Sequence, residues 1–420
     1  MGGKLGRIRA LWLVRPDLTR APGGDTTQIL EAARALRLYG IQVSLRSEID
    51  VDLSRFDLVH LFHLDRVWEN VHWCRQIRAT GIPSVLSPIY WPTDEFDQKG
   101  RTGVARRIER IAGSGAYYDL KLWYYAARQL IDSDQRRSLH APALRFERGR
   151  QYVLDTVQAL LPNSAAEREV LRGRFALKQP IFVVPNAVNT EHFSPPPAGP
   201  AYGAPARDKT VLCVGRIEPR KNQLSVIRAL SQSGLRLRII GRAGDHSRSY
   251  EQACRREAGP AVEFLGWRSP VELRRWYRVS AAHVSASWYE TPGLASLEAA
   301  SCGCPVVVTP GGATREYFGA DADYCTPDDP ESIRAAVESS LARPSSPELG
   351  DRIAKQFTWQ IAAHETLRAY RSALKERAPQ PARRARLKPA LKDSGEYKRA
   401  APHRAALTGS RPPSDSLSRS

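Results

Sequence analysis

A chain of 420 residues is long enough for two ordinary domains, each with its own core. Hydrophobic residues make up 42% and charged residues 25%, the balance of a soluble globular protein, and no apolar run approaches the roughly 20 residues of a membrane-spanning helix. The net charge of +19 favours anionic partners (phosphorylated substrates, anionic lipid surfaces or nucleic acid), the last being the weakest because no helix-turn-helix, zinc-finger or RNP-type pattern accompanies it.

The apolar stretch Ala10–Val14 is too short for a secretory signal, so it reads as a first strand and a cytoplasmic location is expected. A turn-rich loop ends in Gly23-Gly24, and a helix follows from Asp25 to Leu38 with Ile29, Leu30, Ala33 and Leu36 at helical spacing. Strands are predicted at Ile41–Leu45, Phe56–Phe62 and Ile82–Leu86, with a helix through Trp73–Arg78. From Asp94 to Arg150 the pattern blurs into helices rich in arginine and aromatic residues; strand signals return at Ala159–Pro162 and Ile181–Val184. A proline-rich linker spans residues 194–207. A second alternation then begins, with strands at Val211–Val214, Leu235–Ile240, Val262–Leu265, His283–Ala286 and Pro305–Thr309. Helices lie between these strands, and a last helix is predicted over about Thr358–Leu374. Residues 377–420 hold eleven Lys/Arg against three acids and few large apolar residues, so a disordered basic tail is expected. Six cysteines without C-x-x-C or Cys/His ligand spacing read as buried thiols, and no metal site is expected.

Strands alternating with helices imply parallel sheets, and two such domains place a ligand cleft at the carboxyl ends of the strands. Three stretches there carry chemistry. In Glu290-Thr-Pro-Gly-Leu-Ala-Ser-Leu-Glu298, Pro292-Gly293 turns a strand into a helix, so the amides of Gly293, Leu294 and Ala295 form an anion site. Glu298 is placed to accept hydrogen bonds from vicinal hydroxyls such as those of a ribose, and Glu290 to reach a sugar hydroxyl. In Val214-Gly-Arg-Ile-Glu-Pro-Arg-Lys-Asn222, Arg216 and Lys221 project where a diphosphate would lie. Gly23-Gly24 lets a ligand approach the first helix closely.

Together with Val184-Pro-Asn-Ala-Val-Asn-Thr-Glu-His-Phe193, Val262-Glu-Phe-Leu-Gly266 and Ala299-Ala-Ser-Cys-Gly-Cys-Pro-Val-Val-Val308, these motifs resemble, in one order, the retaining glycosyltransferases of family 4. The resemblance is close over residues 155–341. It implies a GT-B fold: a Rossmann-like acceptor domain (1–193), a linker (194–207), a Rossmann-like donor domain (208–357), a cleft between them, and a crossover helix (358–376) packing back on the first domain. It further implies that Arg216 and Lys221 hold the donor diphosphate, that Glu298 binds the ribose, and that Glu290 contacts the transferred sugar with help from the backbone after Pro292. Trp267 is expected beside the base, or in the core, and Gly24 where the first domain closes on the phosphates. No cofactor or metal is expected beyond the nucleotide-diphosphate sugar. The expected acceptor is a saccharide or a lipid-linked molecule, with peripheral contact to an anionic membrane through the segment Arg101–Tyr125. The chain departs from the pattern in one place. Many relatives carry a histidine after the fourth strand, where Tyr90 or Trp91 stands here; His60 and His63 are nearby candidates. A nucleotide-sugar epimerase and a basic nucleic-acid-binding protein are the rival functions.

Overall fold

The computed structural model describes residues 8–20, 22–101, 113, 115–124, 126–127, 140–196, 208–342 and 347–375. The basic tail and most of the linker, predicted from the sequence, lie outside these residues.

Two parallel sheets organise the chain. The first has the order β2-β1-β3-β4-β5, built from β1 (Arg9–Leu13), β2 (Gln42–Arg46), β3 (Leu58–Phe62), β4 (Ser84–Ser87) and β5 (Ala159–Leu160). Its helices are α1 (Gly24–Arg37), α2 (Val67–Thr80), α3 (His140–Leu144), α4 (Phe146–Leu154) and α5 (Ala165–Arg174). The predicted strand at Ile181–Val184 contributes a single bridge, Leu160 to Ile181, and Pro180 and Pro185 on either side lack the N–H groups a longer ladder needs.

The second sheet has the order β11-β10-β9-β6-β7-β8. Its strands are β6 (Asp208–Val214), β7 (Arg236–Ile240), β8 (Val262–Gly266), β9 (Ser280–Ser285), β10 (Val306–Val308) and the short edge strand β11 (Asp323–Tyr324). Around it run α6 (Gln223–Leu230), α7 (Arg248–Glu257), α8 (Pro270–Val279), α9 (Leu294–Ser301), α10 (Thr314–Phe318), α11 (Pro330–Ala342) and α12 (Pro347–Gln356). Past Arg9, strand β1 is apolar (Ala10, Leu11, Trp12 and Leu13 are all buried) because helices cover both faces of its sheet.

The last helix, α13 (Trp359–Lys375), crosses back to the first sheet. Its Trp359, Ala363, Leu367 and Tyr370 share one core with Ala10, Trp12, Ile29 and Leu36. The Tyr370 hydroxyl accepts from Trp12 Nε1 at 2.7 Å and lies 2.8 Å from His60 Nδ1. His60 is therefore a core residue. Its second nitrogen is 2.9 Å from Ser87 Oγ, and burial pushes its pKa down to about 3. The six cysteines are buried, and no helix among the described residues is long and apolar enough to cross a membrane.

Polar contacts join the two halves. The Glu316 carboxylate accepts from the Ala165 and Ala166 amides at 2.9 Å each, at the first turn of α5. The Tyr317 hydroxyl donates to the Asn163 carbonyl at 2.5 Å and accepts from the Asn186 amide at 2.8 Å. On the other side, Lys99 meets Asp328 at 3.0 Å and Phe96 packs near Trp288.

Candidate active site at the seam of the two sheets

The loop after β6 is shaped by a 3-10 turn at Pro219–Lys221 that ends on Asn222 in the left-handed region (φ 58°). The Asn222 side chain donates to the carbonyls of Ala286 and Pro327, tying the loop to the end of β9. That anchor sets Lys221, whose ammonium donates to Glu290 Oε1. Ser287 Oγ donates to the same oxygen at 2.6 Å and Ser285 Oγ lies at 3.3 Å. Burial works against the Glu290 charge, but Lys221, Arg220 and Ser287 outweigh it and hold the pKa down to about 2. The Glu290 backbone bridges to Gly312, where a side chain on the glycine would run into it.

Glu298 stands in the opposite setting. It lies in the second turn of α9, its carboxylate accepts from the Tyr277 hydroxyl at 3.2 Å, and burial lifts its pKa to about 7. At the start of α9, Gly293 takes φ 94° and its carbonyl accepts from Ser296 and Leu297. The amides of Gly293, Leu294 and Ala295 have no acceptor among the described residues, so their partial charge stays available. Pro292 is buried beneath them.

Gly23 and Gly24 bring the first half to this place. A Cβ on Gly23 would sit 3.4 Å from the Arg216 guanidinium, and one on Gly24 would sit 3.8 Å from Leu294 Cδ1. Arg216, Lys221, Gly24, Glu290, Gly293, Leu294 and Ala295 thus occupy adjoining positions at the seam, and Glu298 follows in the next turn of α9. Trp267 is just past β8 and is 55% exposed, which removes it from the core.

A second cluster on the first half joins the candidate His63 to Arg15 and Asp25, neither of which was expected from the sequence. Arg15 Nε donates to Asp25 at 2.6 Å, and His63 Nε2 lies 3.4 Å from the same carboxylate. Burial opposes the Asp25 charge, but His63 and Arg15 hold its pKa far below the ordinary carboxylate range. An acid immediately after Gly23-Gly24, with an arginine at the end of β1, was the available signal. Tyr90 is buried, its amide donates to Glu167, and burial raises its pKa to about 12.

Two parallel doubly wound sheets with a crossover helix make this a GT-B fold. Sucrose-phosphate synthase from Thermosynechococcus elongatus superposes with a TM-score of 0.65 at 18% identity, covering 88% of this chain and 99% of that one. Anabaena HepE in complex with UDP and glucose gives 0.59 at 14% identity, over 87% and 100%. Residues 200–357 match the sequence profile of the family Glycosyl transferases group 1. Among curated relatives, glycogen synthase of Mycobacterium tuberculosis is 33% identical over 184 residues, 41% of this chain and 44% of that protein. D-inositol 3-phosphate glycosyltransferase of Kineococcus radiotolerans is 29% identical over 263 residues, 55% and 60%. The chain spans about half the length of the curated relatives it matches.

Proposed function

We propose that the chain is a retaining glycosyltransferase that moves a sugar from a nucleotide-diphosphate sugar to a hydroxyl of a saccharide or lipid-linked acceptor. One observation carries the reading. The glycine pair of the first half stands beside a guanidinium and a helix start whose first three amides have no acceptor among the described residues, and an ammonium is held on the buried carboxylate next to that turn. That set suits a pyrophosphate next to a sugar. Arg216 and Lys221 offset the charge that grows on the departing nucleoside diphosphate. The anomeric carbon–oxygen bond to the phosphate breaks while the acceptor oxygen bonds on the same face, and the acceptor proton passes to the leaving phosphate oxygen. Glu290, held ionised, receives a hydroxyl of the transferred sugar. Glu298 receives the ribose, and Trp267 offers an open ring to the base.

The named activities of the relatives, among them an O-antigen chain mannosyltransferase of Escherichia coli that is 30% identical over 171 residues, favour a role in cell-surface polysaccharide or glycolipid synthesis. Leu120 and Trp123, 54% and 52% exposed on the helical residues 115–124, favour a peripheral contact with the cytoplasmic membrane face. Sedimentation with liposomes tests that contact; binding that is indifferent to Trp123→Ala removes it.

The deciding measurement is a thermal-shift screen of UDP-, GDP- and ADP-sugars. At about 100-fold over Kd a true donor adds roughly 2.7 kcal/mol of stability, which appears as a clear rise in Tm. No shift with any nucleotide sugar sinks the reading.

A further inference from the structure

His63 is the first residue after β3, at the sheet edge where open αβ folds bind ligands. Its backbone sits at φ 61°, in the left-handed region that few residues other than glycine enter, histidine being one of those that do so with asparagine and aspartate. Nothing about it is loose. Its amide donates to the Ser87 carbonyl at 3.0 Å, and its carbonyl accepts from the Arg66 amide at 3.1 Å. The fully buried Asn70 spends its side-chain amide on the same carbonyl, at 2.7 Å. A disfavoured conformation fixed from three sides aims the imidazole, and strain of this kind gathers at functional sites.

The ring is partly open (23% exposed), and Nε2 lies 3.4 Å from Asp25 Oδ2. Asp25, clamped by Arg15, favours the tautomer with the proton on Nε2, which leaves a lone pair on Nδ1. Asp25 also borders the diphosphate cradle. The point where a Gly23 Cβ would stand is 3.0 Å from Asp25 Oδ1 and 3.4 Å from Arg216. His60, three residues earlier, has both nitrogens engaged in the core and is not available for this work.

We propose that His63, oriented by Asp25, contacts the acceptor side of the reacting centre, its Nδ1 taking a hydrogen bond from an acceptor hydroxyl next to the attacking one, whose own proton stays free to pass to the leaving phosphate oxygen. The proposal rests on the glycosyltransferase reading above. The role lies at the end of β3, not after β4, where Tyr90 is buried. Asp25 is a positioning residue in this scheme.

The test measures donor affinity and acceptor kinetics separately in His63→Gly, His63→Gln and His63→Asn. Glycine suits φ 61°, so His63→Gly keeps the fold while removing the ring. The expected result is a fall in kcat/KM for the acceptor of about tenfold or more in His63→Gly and His63→Gln, with donor affinity unchanged. His63→Asn recovers part of the loss, because its amide oxygen stands near the place of Nδ1 and asparagine tolerates the backbone. Asp25→Asn raises the acceptor KM while the donor Kd holds. Unchanged acceptor kinetics in His63→Gly overturns the proposal, as does a loss that falls wholly on donor affinity. If the wild-type protein binds no nucleotide sugar, the glycosyltransferase reading itself fails and this proposal falls with it.

Discussion

On the carboxyl-terminal wall of the cleft, two glutamates eight residues apart carry opposite shifts. Glu290 is held ionised by Lys221 and two serines, whereas Glu298 has a tyrosine hydroxyl and a dry surround. On the amino-terminal wall, Asp25 reaches the same ionised state as Glu290 through Arg15 and His63, which come from the ends of two different strands. Burial is common to all three acids, so the partner decides the charge. A carboxylate with a paired cation behaves as a fixed anion, and one without behaves as a group that titrates near neutrality.

Breaking the Lys221–Glu290 pair is the strongest test of this contrast. Lys221→Ala leaves the buried Glu290 carboxylate with Arg220 at 4.0 Å and the serines but without its closest cation, so turnover should drop by about 100-fold or more and stability by about 3 kcal/mol, read by steady-state assay and urea melts. Near-normal activity would take Lys221 off the diphosphate. Arg216→Ala sharpens the same comparison. The side chain is 41% exposed and lies 3.6 Å from Glu218. Turnover should again fall about 100-fold, while Tm stays close to wild type because no buried charge is stranded.

Glu298→Gln addresses the other end of the segment. Burial raises the folded pKa to about 7, above its value in the unfolded chain. The folded state therefore binds the extra proton, and stability falls as pH rises from the ordinary carboxylate range to about 7, then levels. The glutamine variant should lack that slope in pH-dependent melts. Its donor affinity should weaken by about tenfold at pH 8, one charge-assisted hydrogen bond's worth. Wild-type affinity, but not that of the variant, should also weaken as pH drops below about 7. Unchanged affinity would remove Glu298 from the ribose. The smallest expected effect is that of Tyr370→Phe, which takes a hydroxyl from Trp12 and His60. Stability should fall by about 1–3 kcal/mol, with turnover unaltered at permissive temperature.

The donor half was legible because its chemistry is local. Glu290 to Glu298 and Gly215 to Asn222 are short strand–loop–helix junctions, so residue order alone sets which amides and side chains share a face. The strands of both sheets were readable from apolar runs, with ends displaced by a few residues, as at Asp208–Val214 and Ser280–Ser285. The short α10 and the edge strand β11 were not foreseen, since neither has the length to show a periodicity.

Sequence alone determined the alternation of strands and helices, the two-domain plan and the junctions where backbone amides and cations meet. Tertiary structure decided the roles of the histidines. His60 and His63 are three residues apart, yet Tyr370 draws one into the core and Asp25 holds the other at the seam. It also decided which acids stay charged, because a pKa depends on partners brought from distant segments and on the water they exclude, and neither is a property of residue order.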